Sequence, residues 1–233
     1  MTTTSRNARV AGLLYLSLIL IGPLSLIYIP SKLIVAGDAA ATAHNIAAHE
    51  LLFRLGIACD LVGGTLLIFL GLALYRLFKD VDRAQAVLVV ILGGVMPAAI
   101  FFFNVLNDFA ALTLVRGAEY LSVFEKPQRE ALALLFLGMH DQEITAAELF
   151  WGLWLFPLAI LIYRSRFLPR FLAVWLALGG LAYVALSFTG LLFPQYEHVV
   201  YRLGSPARLG ELATMLWLLI RGAKDQPATI PTA

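Results

Sequence analysis

Apolar runs of about 20 residues are what a helix needs to cross a hydrocarbon core of about 30 Å, and they recur along this chain. They fall at 9–29, 54–77, 87–112, 144–163, 171–193 and 206–220, the last being short for a crossing. In lipid the backbone donors and acceptors must be satisfied within the protein, which leaves helices as the natural spanning form for runs of this length. Composition agrees: 61% of the 233 residues are hydrophobic and 14% charged, against about half and about a quarter in soluble domains. The expected fold is all-α, a polytopic membrane bundle of six transmembrane helices forming one integral-membrane domain over 1–233. The first run is too long for a cleaved signal peptide and reads as an uncleaved span. The single cysteine, Cys59, excludes an internal disulfide framework.

Charge sets the expected orientation. With the N-terminus inside, one side collects Arg6, Arg9, Arg76, Lys79, Arg83, Arg164, Arg166, Arg170, Arg221 and Lys224 against Asp80, Asp82 and Asp225. Ten bases against three acids on that side satisfy the positive-inside rule with both termini cytoplasmic. The inner connections are short, whereas the outer ones contain helical signals. Asp38 or Thr42 is placed to cap a helix reading through His44 and His49, and Pro127 suits the first turn of one carrying Glu130 to Gly138. The second of these is expected as a short helix lying on or in the outer leaflet. Tyr15, Tyr28, Tyr75, Tyr163, Trp151, Trp175, Tyr196 and Trp217 fall near the expected interfaces, where an aromatic belt would sit. Gly63-Gly64, Gly93-Gly94 and Gly179-Gly180 lie inside apolar runs, where small residues let helices approach closely.

The residues that hydrocarbon tolerates least carry the functional information. A charge at the centre of a span costs about 2.5 to 3.5 kcal/mol on insertion scales, so it should face other helices or a wet cavity. Asp60 lies about 14 Å into the second run, with Arg54 one to two turns above it. Asn104, Asn107 and Asp108 are spaced i, i+3, i+4 on one face of the third. Asp141, Thr145 and Glu148 form a second stripe, with His140 beside it, and Arg208 and Glu211 are i, i+3 in the sixth. Nearly all sit in the outer halves of their helices. Arg54, Asp60, Asn104, Asp108, His140, Glu148, Arg208 and Glu211 are therefore the expected ligand-binding set around an outward-facing polar pocket. A purely structural ion-pair network is the competing account of the same charges.

Other chemistry lacks a motif. There is no Walker loop and no GxGxxG, and the dispersed bases argue against nucleic acid. His140, Asp60, Asp108, Glu148 and Glu211 are chemically adequate zinc ligands, but no HExxH or other ligand spacing is present, and no metal or cofactor is expected.

Arg9-Val-Ala-Gly-Leu-Leu-Tyr15, Pro30-Ser-Lys-Leu-Ile34 through Asp38-Ala-Ala-Ala-Thr42, Phe53-Arg-Leu-Gly-Ile57 with Asp60, Leu134 to His140, Tyr163-Arg-Ser165 with Phe167-Leu-Pro-Arg170, and Gly210-Glu211 with Leu216-Trp-Leu-Leu219 form a set. Over about residues 8–222 this set resembles the bacterial membrane proteins grouped as domain of unknown function 4386. The resemblance implies a six-span protein of the bacterial cytoplasmic membrane. The chain departs from the family's glycine-rich turn after the histidine, where Asp141-Gln-Glu143 stands.

The expected role is binding, with transport as an extension, of a small polar molecule or a lipid headgroup. The alternatives are an intramembrane metal-dependent hydrolase built on His140 and the carboxylates, and an accessory subunit without a site of its own. Expected partners are membrane lipids and a small polar ligand, with self-association or a partner subunit left open.

Overall fold

The computed structural model describes residues 3–223, so Lys224 and Asp225 lie outside the described residues. Those described are helical throughout, without a strand. In chain order the helices are α1 (Thr3–Pro23), α2 (Ile29–Leu33), α3 (Ala39–Ala48), α4 (Glu50–Phe78), α5 (Arg83–Val89), α6 (Met96–Arg116), α7 (Lys126–Leu153), α8 (Leu155–Ser165), α9 (Arg170–Leu192) and α10 (Glu197–Leu216). Three of the joints between them are continuous, which leaves five helical rods long and apolar enough to cross a membrane: Thr4–Leu33, Glu50–Phe78, Arg83–Arg116, Lys126–Ser165 and Arg170–Leu192. The sixth expected run lies in α10 and its extension Trp217–Arg221, which carries Glu197, Arg202, Arg208 and Glu211 and is less apolar than the other five.

Local chemistry explains where the rods begin and bend. The Asp38 carboxylate accepts the Ala41 N–H at 2.9 Å and starts α3, and Asp82 does the same for Gln85 at 3.1 Å at the start of α5. Glu125 and Gln128 form a capping box ahead of α7, with Pro127 in its first turn. Gly117, at φ 68°, ends α6 in the left-handed region where a side chain is disfavoured. Proline has no N–H to give the preceding turn. Pro23 and Pro97 accordingly flank widened π-helical turns, Leu24–Tyr28 and Val90–Val95.

Two expectations are corrected. The helix carrying Glu130 to Gly138 is not a separate surface element but the first half of α7, which runs on through His140 to Leu153. No proline interrupts that stretch, and the polar residues Asp141, Gln142 and Glu143 are compatible with a helix interior. Tyr15 and Trp151 are packing residues rather than members of an aromatic belt. Tyr15 is 5% exposed, and Trp151 stacks on Phe101 and meets Tyr183 edge to face, at centroid distances of 6.3 and 6.1 Å.

Leu20, Ile27, Phe69, Phe103 and Leu106 are all more than half exposed, a surface that suits lipid and not water. Inside, the helices meet at small residues: a Cβ on Gly152 would lie 2.7 Å from the Gly180 carbonyl oxygen, so α7 and α9 touch backbone to backbone. The core divides by height. The half nearest Asp82 and Arg164, which form an ion pair, is filled by Leu70, Leu74, Phe78, Leu155, Leu158, Leu161, Ile162, Leu172 and Leu176. The half nearest Glu50 holds a smaller apolar cluster, including Ile29, Leu33, Phe53, Ile57, Val105 and Leu137. The polar residues gather beside this second cluster.

Candidate functional site

The π-helical turn after Pro23 carries Ser25, which is 7% exposed. Facing it is α4, whose residues Phe53, Gly56, Ile57 and Asp60 follow the i, i+3, i+4, i+7 spacing of one helical face. Together with Asp108 of α6 and His140 of α7 they line a cavity of about 40 Å³. One water needs roughly 10 to 15 Å³ measured in this way. The enclosed space therefore accommodates an ion with a few waters. Along α4, Asp60 lies about 15 Å from the Glu50 end and about 27 Å from the Phe78 end.

The face Asn104, Asn107, Asp108 is buried as a unit, at 0%, 8% and 5% exposure. It meets α7 through three contacts. His140 Nδ1 lies 3.0 Å from Asp108 Oδ1, the Asn104 amide donates to the His140 carbonyl at 3.3 Å, and the Asn107 amide donates to Glu143 Oε1 at 3.2 Å. The i, i+3, i+4 register of α6 thus grips the i, i+3 pair His140 and Glu143. Asp60 arrives from the opposite side. It is 3% exposed, and its Oδ1 is buried with no hydrogen-bond partner. The donor atoms of Asp60, Asp108 and His140 all lie within 4.8 Å of one another. Among the described residues, no Lys or Arg lines the cavity.

The remaining expected residues lie elsewhere. Arg54 does not turn toward Asp60: its Nε is 2.7 Å from Glu50 Oε1, and the other Glu50 oxygen pairs with Arg116 at 3.2 Å. Glu148, Arg208 and Glu211 form a second polar cluster between α7, α9 and α10. There the Tyr15 hydroxyl donates to Glu211 Oε1. The Arg208 guanidinium lies 4.3 Å from the Tyr201 ring centroid and 5.5 Å from that of Tyr183, and its Nη2 donates to the Tyr201 carbonyl at 2.9 Å. The eight residues read from the sequence thus separate into a cavity lined by Asp60, Asp108 and His140 with Asn104 bonded to the His140 backbone, a second cluster with Glu148, Arg208 and Glu211, and an ion-paired Arg54. Sequence reasoning missed Ser25, Glu143, Tyr15 and Tyr183. Glu143 was legible as the i+3 neighbour of His140; the others are single polar atoms in apolar runs and leave no spacing signal.

These features define a helical bundle of membrane-spanning character with a small anionic cavity between its helices. The chain belongs to the family described as domain of unknown function (DUF4386), whose profile matches residues 10–222. No curated protein and no solved structure matches it.

Proposed function

We propose that this chain is a multi-pass protein of the bacterial cytoplasmic membrane, a single six-span domain with both ends inside, whose outward-facing cavity binds a small cation. The observation that carries the reading is the buried, unpartnered Asp60 oxygen facing Asp108 and His140. Two buried carboxylates are costly, and His140 is the one basic group beside them, since Arg54 is held by Glu50 and Arg208 lies in the other cluster. The two aspartates that line the cavity, with no Lys or Arg among its lining residues, favour a cation over an anionic headgroup.

Three features support the topology. Five rods meet the length and apolarity of spans. Of the charges of α10, the two that fall within the sixth expected run are directed at other helices, Glu211 on Tyr15 and Arg208 on Tyr183, as an intramembrane charge requires. The bases Arg76, Lys79, Arg83, Arg164, Arg166 and Arg170 cluster around the connections at the Asp82 end, opposite the cavity.

The test is a thermal-shift panel on the purified full chain with sodium, magnesium, zinc and methylammonium salts, run in parallel on Asp60→Asn. A ligand that binds the folded state raises its melting temperature by mass action. At least one cation should stabilise the wild type and leave the variant unmoved. A panel without effect, or one that shifts both proteins equally, refutes the reading.

A further inference from the structure

The cavity's donors belong to a more specific chemistry than cation binding in general. We infer that Asp60, Asp108 and His140 are the protein ligands of a divalent first-row metal ion of the zinc type, held between α4, α6 and α7 with its remaining coordination positions open to water. The inference rests on the proposed cation site and names its occupant.

Geometry comes first. Zinc takes histidine nitrogen and carboxylate oxygen at about 2.0 to 2.2 Å in a tetrahedral shell, so two ligands of one ion lie about 3.4 Å apart. The three donor sets already fall within 4.8 Å of one another, and His140 and Asp108 are 3.0 Å apart. Closing the set around an ion takes at most ~1.4 Å off the widest separation and opens the His140–Asp108 pair by ~0.4 Å, changes that rotations of the side chains can share. Three protein ligands plus water is the arrangement of open zinc sites.

Charge and donor type agree. Two buried carboxylates converge with one imidazole as the sole nitrogen donor, and Asp60 still has an oxygen to give. A divalent ion would balance the two aspartates with His140 neutral. The mixed nitrogen and oxygen set suits zinc or its neighbours better than magnesium or calcium, which prefer oxygen alone. The supports are in place as well. The Asn104 amide holds the His140 backbone carbonyl at 3.3 Å, and Asn107 bridges Asn104 and Glu143 at 3.4 and 3.2 Å, fixing the α6–α7 register on which the ligand positions depend. The cavity of about 40 Å³ accommodates the ion with one or two waters.

The test uses the untagged full chain, stripped with a chelator and dialysed against zinc, with bound metal counted by mass spectrometry and its surroundings read by X-ray absorption. One zinc per chain is expected, in a shell of nitrogen and oxygen at about 2.0 to 2.1 Å and no sulfur. Asp60→Asn and His140→Gln should each weaken binding at least ~10-fold. Cys59→Ser should leave it unchanged, which separates this site from capture by the lone thiol. The absence of stoichiometric zinc, a sulfur in the shell, or full affinity in both ligand variants overturns the inference. If zinc fails while methylammonium still stabilises the wild type in an Asp60-dependent way, the metal is wrong and the cation cavity stands. If no cation acts at all, both fall.

Discussion

The close contact between α7 and α9 gives a direct test of the bundle's packing. A methyl group added at Gly152 would lie 2.7 Å from the Gly180 carbonyl oxygen, 2.8 Å from Val184 Cγ2 and 2.9 Å from Val184 N. Carbon contacts settle at about 3.5 to 4.0 Å, so the overlap is at least ~0.6 Å. Two of the three obstructing atoms are backbone and cannot rotate aside. α7 and α9 would have to separate, and overpacking of this kind costs about 1 to 3 kcal/mol. Gly138 in the same helix supplies the control, since a methyl group there meets nothing within 4 Å. Gly138→Ala should gain up to about 1 kcal/mol of helix propensity. The propensity gain is common to both sites, so the two single-methyl variants are expected to differ by the overpacking cost, about 1 to 3 kcal/mol. The assay is reversible unfolding in mixed detergent and dodecyl sulfate micelles, followed by far-ultraviolet circular dichroism. If Gly152→Ala is as stable as Gly138→Ala, the contact between α7 and α9 is wrong, and with it the placement of His140.

Three further outcomes are expected. Tyr15→Phe removes the hydroxyl bonded to Glu211 and should cost about 1 to 3 kcal/mol in the same unfolding assay; an unchanged midpoint would show that the pair does not join α1 to α10. Arg164→Ala breaks the pair with Asp82, but the arginine side chain is 58% exposed, so the loss should stay within about 1 kcal/mol; a change above about 2 kcal/mol would contradict a solvent-screened pair. In a Cys59→Ser background, a cysteine placed at Tyr120 should react with a membrane-impermeant maleimide on intact cells and one placed at Asp80 should not. The opposite pattern would invert the proposed orientation.

Much of the architecture was legible because it depends on local spacing. The apolar runs, the Asp38 cap, the buried face of Asn104, Asn107 and Asp108, and the placing of Gly93-Gly94 and Gly179-Gly180 at helix contacts all follow from the pattern within one element, whereas a Cβ on Gly63 would meet nothing within 4 Å. Even the partner of Arg54 obeyed a local rule, the i, i+4 pair with Glu50; the buried Asp60 was the more conspicuous acid but lies on another face of the helix. What was not legible is convergence. Asp60, Asp108 and His140 come from three helices, and Asp108 and His140 are 32 residues apart, so no ligand motif registers their meeting. The division of one expected polar set into two clusters has the same origin, since neighbouring depth along different helices does not say which faces turn toward each other. The full length of α7 was missed because its polar stretch resembles a loop by composition while containing nothing that stops a helix.

The bond between Tyr15 and Glu211 joins the first helix to the last across 196 residues of chain, and the same seam brings Gly12 against the backbone of Leu219. During synthesis at about 5 to 20 residues per second, the Tyr15 hydroxyl would wait about 10 to 40 s for its partner to be made. Until then α1 presents an unclosed flank, and this seam can close only after Glu211 and Leu219 have emerged. Assembly of this bundle is thus timed by its last helix, and a truncation before Glu211 would leave a first span inserted but without its final neighbour.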